Sequence, residues 1–245
     1  MRPVTHHITH APKQRPAWRT PLGHNAIPMS DALPTPVRSL PLFPLGTVLF
    51  PGGWLPLQIF EVRYLDMVQR CFERSEPFGV LTLTEGHEVQ QPARDGTAGF
   101  AAEAFAGLGT LAHIESLERP QPGLLLIGCR GGERFRLHSR EKLKHGLWMG
   151  EAEVLPADPT MAIPDDLDSL RELLLDLGRQ LHAQHPDAFR HALEGPHWHD
   201  AGWVANRWCD FLPESNELKQ RLLALDNPLL RLELVGDLVD KLPRA

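Results

Sequence analysis

Between Val37 and Leu155 the apolar residues come in short runs cut by proline and glycine, whereas after Pro164 they recur every third or fourth position. The first pattern predicts short strands and the second amphipathic helices. Residues 37–43 and 47–50 read as strands. So do residues 54–60, with Leu55, Leu57 and Ile59 on one face and Trp54, Gln58 and Phe60 on the other. The period changes at Glu61. Tyr64, Val68, Cys71 and Phe72 form a helical stripe, which should end near Ser75 because Pro77 disfavours helical geometry in the residue before it.

Residues 78–83 read as a buried strand, and 85–108, rich in glycine, alanine and polar residues, as a long loop. Strand resumes at 109–115. Residues 124–129 and 134–138 read as a hairpin turning at Gly131-Gly132, residues 148–155 as a last strand, and 156–164 as a linker. Beyond it, Leu167, Leu170, Leu174, Leu177 and Leu181 mark a helix whose first turn carries Asp165, Asp166 and Asp168, favourable at the positive end of the helix dipole. Further helices are predicted over 203–212, from Ser215, and from Asn227-Pro228, where an N-cap precedes proline at the first helical position. The fold class is therefore α+β: a β-rich lobe over 37–156 with one embedded helix, then a helical bundle over 165–243.

Residues 1–36 hold seven prolines and four histidines without apolar periodicity, and are expected to be a disordered extension. Met29, shortly before the first strand, is an alternative start. The net charge of −6 and a pI near 6.1 disfavour a nucleic-acid or anionic-membrane partner. No apolar run approaches the roughly 20 residues that span a bilayer, so no membrane partner is expected. Cys71, Cys129 and Cys209 are far apart and form no Cys-x-x-Cys pair, which fits buried free thiols and a cytoplasmic location.

The sequence carries no catalytic constellation. Gly-x-Ser-x-Gly, His-Glu-x-x-His and a phosphate-binding Gly-x-x-x-x-Gly-Lys-Ser/Thr loop are all absent, and no catalytic residue, metal or cofactor is expected. His182, His185, His191, His197 and His199, with Asp200 and Cys209, are zinc-ligand types at irregular spacing. They carry the alternative reading: a small-ligand-binding or zinc-dependent hydrolytic protein using a cleft between the lobes. Arg130, Arg134, Arg136, Arg140, Lys142 and Lys144 make a local basic patch. Glu133 and Glu141 dilute it, and Phe135 is its one aromatic, short of a base-stacking surface.

Six ordered pieces carry a family resemblance: Leu40-Pro-Leu-Phe-Pro-Leu, Val48-Leu-Phe-Pro-Gly, Leu55-Pro-Leu-x-Ile-Phe-Glu-x-Arg-Tyr-x-x-Met, Phe78-Gly-Val-Leu, Gly109-Thr-Leu-Ala and Gly132-x-x-Arg-Phe-Arg-Leu. Together they resemble the LON substrate-binding domain, the N-terminal module of the protease Lon, which also occurs as a stand-alone protein. The resemblance implies a PUA-like pseudo-barrel lobe followed by a small helical unit. It also implies non-catalytic binding of protein segments, such as exposed apolar stretches of unfolded chains, with a protease or chaperone as a candidate partner. Pro44, Pro51, Gly52, Glu61, Arg63 and Tyr64 belong to the structural signature, the last three expected to fix a strand–helix junction. Trp54, Phe100 and Phe105 are the candidate protein-binding residues, each a large apolar group beside glycine or in the expected loop. The competing reading makes Trp54 core and the two phenylalanines pins for that loop.

Overall fold

The structure, a computed structural model, describes residues 37–85, 103–184, 191, 193, 195 and 197–242. The expected extension 1–36, Phe100 with most of the expected 85–108 loop, and His185 lie outside the described residues.

The described strands are β1 (Val37–Leu45), β2 (Trp54–Ile59), β3 (Phe78–Glu85), β4 (Ala104–Gln121), β5 (Leu124–Lys142) and β6 (Trp148–Val154). Helix α1 (Val62–Arg74) follows β2. After β6 come a 3-10 turn (Asp165–Leu167) and α2 (Asp168–Gln184), α3 (Ala201–Phe211), α4 (Asn216–Leu223) and α5 (Pro228–Val239). β1 runs parallel to β3, and the remaining pairings are antiparallel. β5 pairs with β4 from Leu124 to Arg136, with β2 through its first part and with β6 through its second. Because β6 also pairs with β1, the ring β1–β3–β4–β5–β6 closes on itself, and β2 is added outside it on β5.

Alternation along the strands sorts the side chains into two layers. Leu42, Leu81, Leu111 and Phe135 point into one apolar cluster, while Phe43, Phe78, Val80 and Ala112 face a second, which α1 covers with Tyr64, Met67, Val68 and Cys71. Phe72, expected on the same stripe, is 38% exposed. The prolines of β1 sit where a missing donor costs little. Pro41 is paired only with β6 and Pro44 only with β3, so neither interrupts two ladders at once.

The structure corrects three sequence expectations. Residues 47–50 are not a strand, although they alternate: Val48 and Phe50 join the helical core while Leu49 faces the barrel side. Residues 104–108, expected in a loop, open β4. The hairpin between the long strands turns at Pro122-Gly123, where Gly123 has φ 78°, and Gly131-Gly132 lies inside β5. Gly131 is needed there for approach rather than for turning. Its N–H donates to the Gly53 carbonyl at 2.9 Å, its carbonyl accepts from Gly52 N–H at 2.7 Å, and a Cβ would come within 2.2 Å of the Phe50 oxygen.

The helix signals are local and read directly. Asn227 Oδ1 accepts from the N–H of Leu229 and Leu230, Ser215 Oγ from Leu218, and α1 ends at Ser75 in the left-handed region with φ 54°. Three arginines fasten the helices to the barrel. Arg207 on α3, fully buried, donates to the carbonyls of Gly52 at 2.8 Å and Pro51 at 2.9 Å. Arg134 on β5 and Arg231 on α5 grip the two carboxylate oxygens of linker residue Asp158, at 3.0 and 2.5 Å.

Candidate functional site: the Trp54 groove

Among the described strands β2 lies at one end of the sheet order, so its outer side is an edge of the described sheet. Along it runs a groove of about 460 Å³ whose walls include Trp54, Pro56, Leu57, Leu126, Gly128 and His191. Trp54 is half-buried and lies across Gly128. A Cβ at position 128 would fall 2.2 Å from the indole, so only glycine leaves room for the ring in this position. The Arg130 guanidinium stands 5.0 Å from the indole centroid and the His191 ring 4.3 Å. Arg130 is itself held by Glu115 at 3.2 Å and by the His191 carbonyl at 2.8 Å. The indole is thus held by contacts with Gly128, Arg130 and His191 while part of it stays open. Just past β2, Phe60 is 56% and Val62 79% exposed. A partly open aromatic in such a groove can take up an apolar segment, with Phe60 and Val62 exposed past the other end of β2, and an edge strand can also pair with extended backbone.

The other expected site residues separate. Phe105 is 8% exposed in the barrel cluster, its ring edge-on to Trp148 at 5.4 Å with the Arg140 guanidinium 4.2 Å above it. It shares no contact cluster with Trp54, and Phe100 lies outside the described residues. Glu61, Arg63 and Tyr64 stand at the β2–α1 junction. Glu61 is the N-cap residue of α1, and its carboxylate accepts from Arg63 Nε at 3.1 Å. Buried Arg63 also reaches the Gly146 carbonyl at 3.3 Å and Glu103 at 3.4 Å. Tyr64 stacks on Phe43 with centroids 3.9 Å apart; burial raises its phenol pKa well above the ordinary tyrosine range. Pro51 and Gly52 present the carbonyls that Arg207 holds, and buried Pro44 lies opposite Leu81.

The histidines also disperse. His182 is exposed on α2, His191 sits against Trp54, and His197 lines a second cleft at the start of α3. Asp200 caps α3 by accepting from Gly202 N–H at 3.0 Å, and Cys209 is fully buried in the helical core. Among the described residues no three His, Cys, Asp or Glu side chains are grouped so as to hold a metal. The basic patch dissolves similarly: Arg134 is buried in the seam, and exposed Arg136 lies opposite Glu153 on β6. No described helix is long and apolar enough to cross a membrane.

The sequence expectation named Trp54 as a candidate but did not place Arg130, His191 or Gly128 against it. The available signal was the antiparallel register of β2 on β5, which sets Trp54 opposite Arg130 and Pro56 opposite Gly128.

A family model, the ATP-dependent protease La (LON) substrate-binding domain, matches residues 39–241. The crystal structure of a Lon N-terminal domain protein from Xanthomonas campestris is similar with a TM-score of 0.61 and 30% identity, covering 84% of this chain and 99% of that one. The N-terminal domain of Mycobacterium avium complex Lon protease shares the fold at a TM-score of 0.55 and 16% identity, over 83% of this chain and 99% of that one. Protein cereblon of Danio rerio is 28% identical over 141 residues, 56% of this chain, and the match spans 29% of the length of that relative. The family model covers most of the chain and the Xanthomonas domain is matched over nearly all of its length, so this chain belongs to the LON substrate-binding domain family.

Proposed function

We propose that the protein is a recognition module without catalysis of its own, which captures exposed apolar segments of unfolded client proteins in the Trp54 groove. The carrying observation is the Trp54 indole, packed over Gly128 and against Arg130 and His191 in an edge-strand groove. Pre-positioning of this kind lowers the ordering cost of binding. Membership in a substrate-binding family supports the same reading. Phe105 contributes by anchoring the start of β4, and Phe100 is a further client contact. The module works in the cytoplasm alongside a protease or chaperone that acts on the captured chain.

The test is fluorescence anisotropy with a labelled, permanently unfolded protein, reduced and carboxymethylated α-lactalbumin. Trp54→Ala should weaken binding at least about tenfold, as loss of an aromatic anchor does. Gly128→Ala should weaken it comparably by pushing the indole off its seat. Binding unchanged in both variants, with thermal unfolding also unchanged, overturns the proposal.

A further inference from the structure

A second cleft, of about 500 Å³, opens between the 51–52 turn, residues 131–134 of β5, the linker after β6 and the start of α3. It shares no lining residue with the Trp54 groove, and its size suits a small molecule or a few residues of peptide. Most polar groups in its wall are committed. Asp158 is held by Arg134 and Arg231. Asp200 Oδ1 accepts from Gly202 N–H at 3.0 Å and Met161 N–H at 3.4 Å. Arg134 also donates to the carbonyls of Leu223 at 2.9 Å and Leu225 at 3.2 Å.

Asn206 differs. Only 4% exposed, it accepts through Oδ1 from Arg231 Nη1 at 3.0 Å, which fixes the direction of its amide. Its NH₂ group has no hydrogen-bond partner among the described residues. Nor is that group sealed off: the fully buried side-chain polar atoms lacking a partner among the described residues are Tyr64 Oη and Arg207 Nε. Asn206 lines the cleft, and with Oδ1 engaged by Arg231 the NH₂ group is the part of its amide left to offer there. Trp203, 9% exposed, sets its indole beside Gly52, and its Nε1 likewise makes no hydrogen bond among the described residues.

The unused capacity of the inner wall is therefore donor capacity, ringed by the carboxylates of Asp158, Asp200 and Glu133. An anion would face those oxygens. A cation would meet the guanidinium groups of Arg134 and Arg231, which already pair with both oxygens of Asp158, while Asp200 is engaged through Oδ1 in capping α3. A neutral carbonyl oxygen fits both conditions, since an unmet buried donor rewards an acceptor that brings no charge. We propose that this cleft binds a neutral amide of a peptide, with Asn206 Nδ2 donating to its carbonyl oxygen and the Trp203 indole covering its apolar flank. The site stands apart from the Trp54 groove, so either can fail alone.

The experiment is a titration of the full chain with N-acetylleucinamide, which carries backbone-type amides, and with propanamide, which mimics an Asn or Gln side chain. It is read by the Trp203 indole N–H resonance, assigned with Trp203→Phe; acetate and butylammonium serve as charged comparisons. A saturable shift with either amide, stronger than with both ions, is expected, and the tighter of the two amides identifies the source. Asn206→Asp keeps an oxygen for Arg231 but removes the NH₂ group, and should weaken binding about tenfold. Ala157→Trp places a ring in the cleft from an exposed linker position and should weaken it as much, a safeguard if the first variant does not fold. Trp54→Ala should leave this titration unchanged. Three results each overturn the proposal: no saturable shift in the wild type, tighter binding of either ion, or wild-type affinity in the folded variants.

Discussion

Inside the barrel, Leu42, Leu81 and Phe135 are fully buried among other hydrocarbon side chains, whereas at the seam with the helices the fully buried side chains include Arg207 and Arg231. Both regions bury large side chains, yet they specify structure differently. Apolar packing accepts any arrangement that fills the volume. A buried guanidinium accepts only one in which carbonyls and a carboxylate converge on its donors. Arg231 meets this demand with Asp158, Asn206 and the carbonyls of Leu222 and Leu225. The barrel supplies cohesion, and the seam supplies the one permitted placement of helices on barrel.

The largest effect should come from breaking the seam. Arg231→Ala leaves Asp158 short of a partner and strips donors from two buried carbonyls, a loss of about 3–5 kcal/mol in urea denaturation. Leu42→Ala, which removes a fully buried barrel side chain, should cost about 2–4 kcal/mol through the cavity it leaves. If Arg231→Ala proves the milder of the two, the arginine seam is incidental to stability.

A smaller effect concerns Glu103, before β4. Burial alone would raise its pKa, but hydrogen bonds from Trp148 Nε1 at 2.6 Å and Lys142 Nζ at 3.0 Å, with the charge of Arg63, outweigh that and hold the carboxyl below the usual carboxylate range. A folded-state pKa depressed in this way gives stability that is complete above the unfolded-state value and lost as pH falls through the folded-state one. Wild type should exceed Glu103→Gln by about 1 kcal/mol at neutral pH, and the gap should close in acid. A gap that stays constant across that range would show that the carboxylate's charge contributes nothing.

The smallest signal tests which region opens first. Burial pushes the thiols of Cys129 and Cys209 up to about 12 and that of Cys71 to about 11, so native protein at pH 8 should resist a disulfide reagent such as DTNB. In mild urea, Cys209 in the helical core should react before Cys129 in the barrel-side core. The reverse order would place the weaker region in the barrel.

The two regions also differ in how far the sequence reveals them. Caps at Ser215 and Asn227 depend on neighbours two or three residues away, and the sequence exposes them fully. Gly131-Gly132 misleads because a glycine kept for backbone approach is written like one kept for a turn; only the partner segment 50–53 distinguishes them. Buried Arg207 and Arg134 look like surface charge in sequence, since their carbonyl partners lie far along the chain, Gly52 for Arg207 and Leu223 for Arg134. Trp54 is legible as a large apolar group beside glycine, while its contact with Arg130 exists only once β2 is laid on β5, and that with His191 only once a residue far along the chain comes to rest on the indole.

The pairing of β1 with β6 carries a cost of timing. A ribosome delivers the first of these strands long before the second, and more than a hundred residues separate them. At ordinary rates of synthesis, roughly 5–20 s pass with β1 lacking that neighbour. During that interval the backbone between Val37 and Leu42 offers unpaired N–H and C=O groups next to apolar side chains, a template for chance pairing with other chains. For those seconds the growing protein is itself an exposed apolar segment in search of a partner.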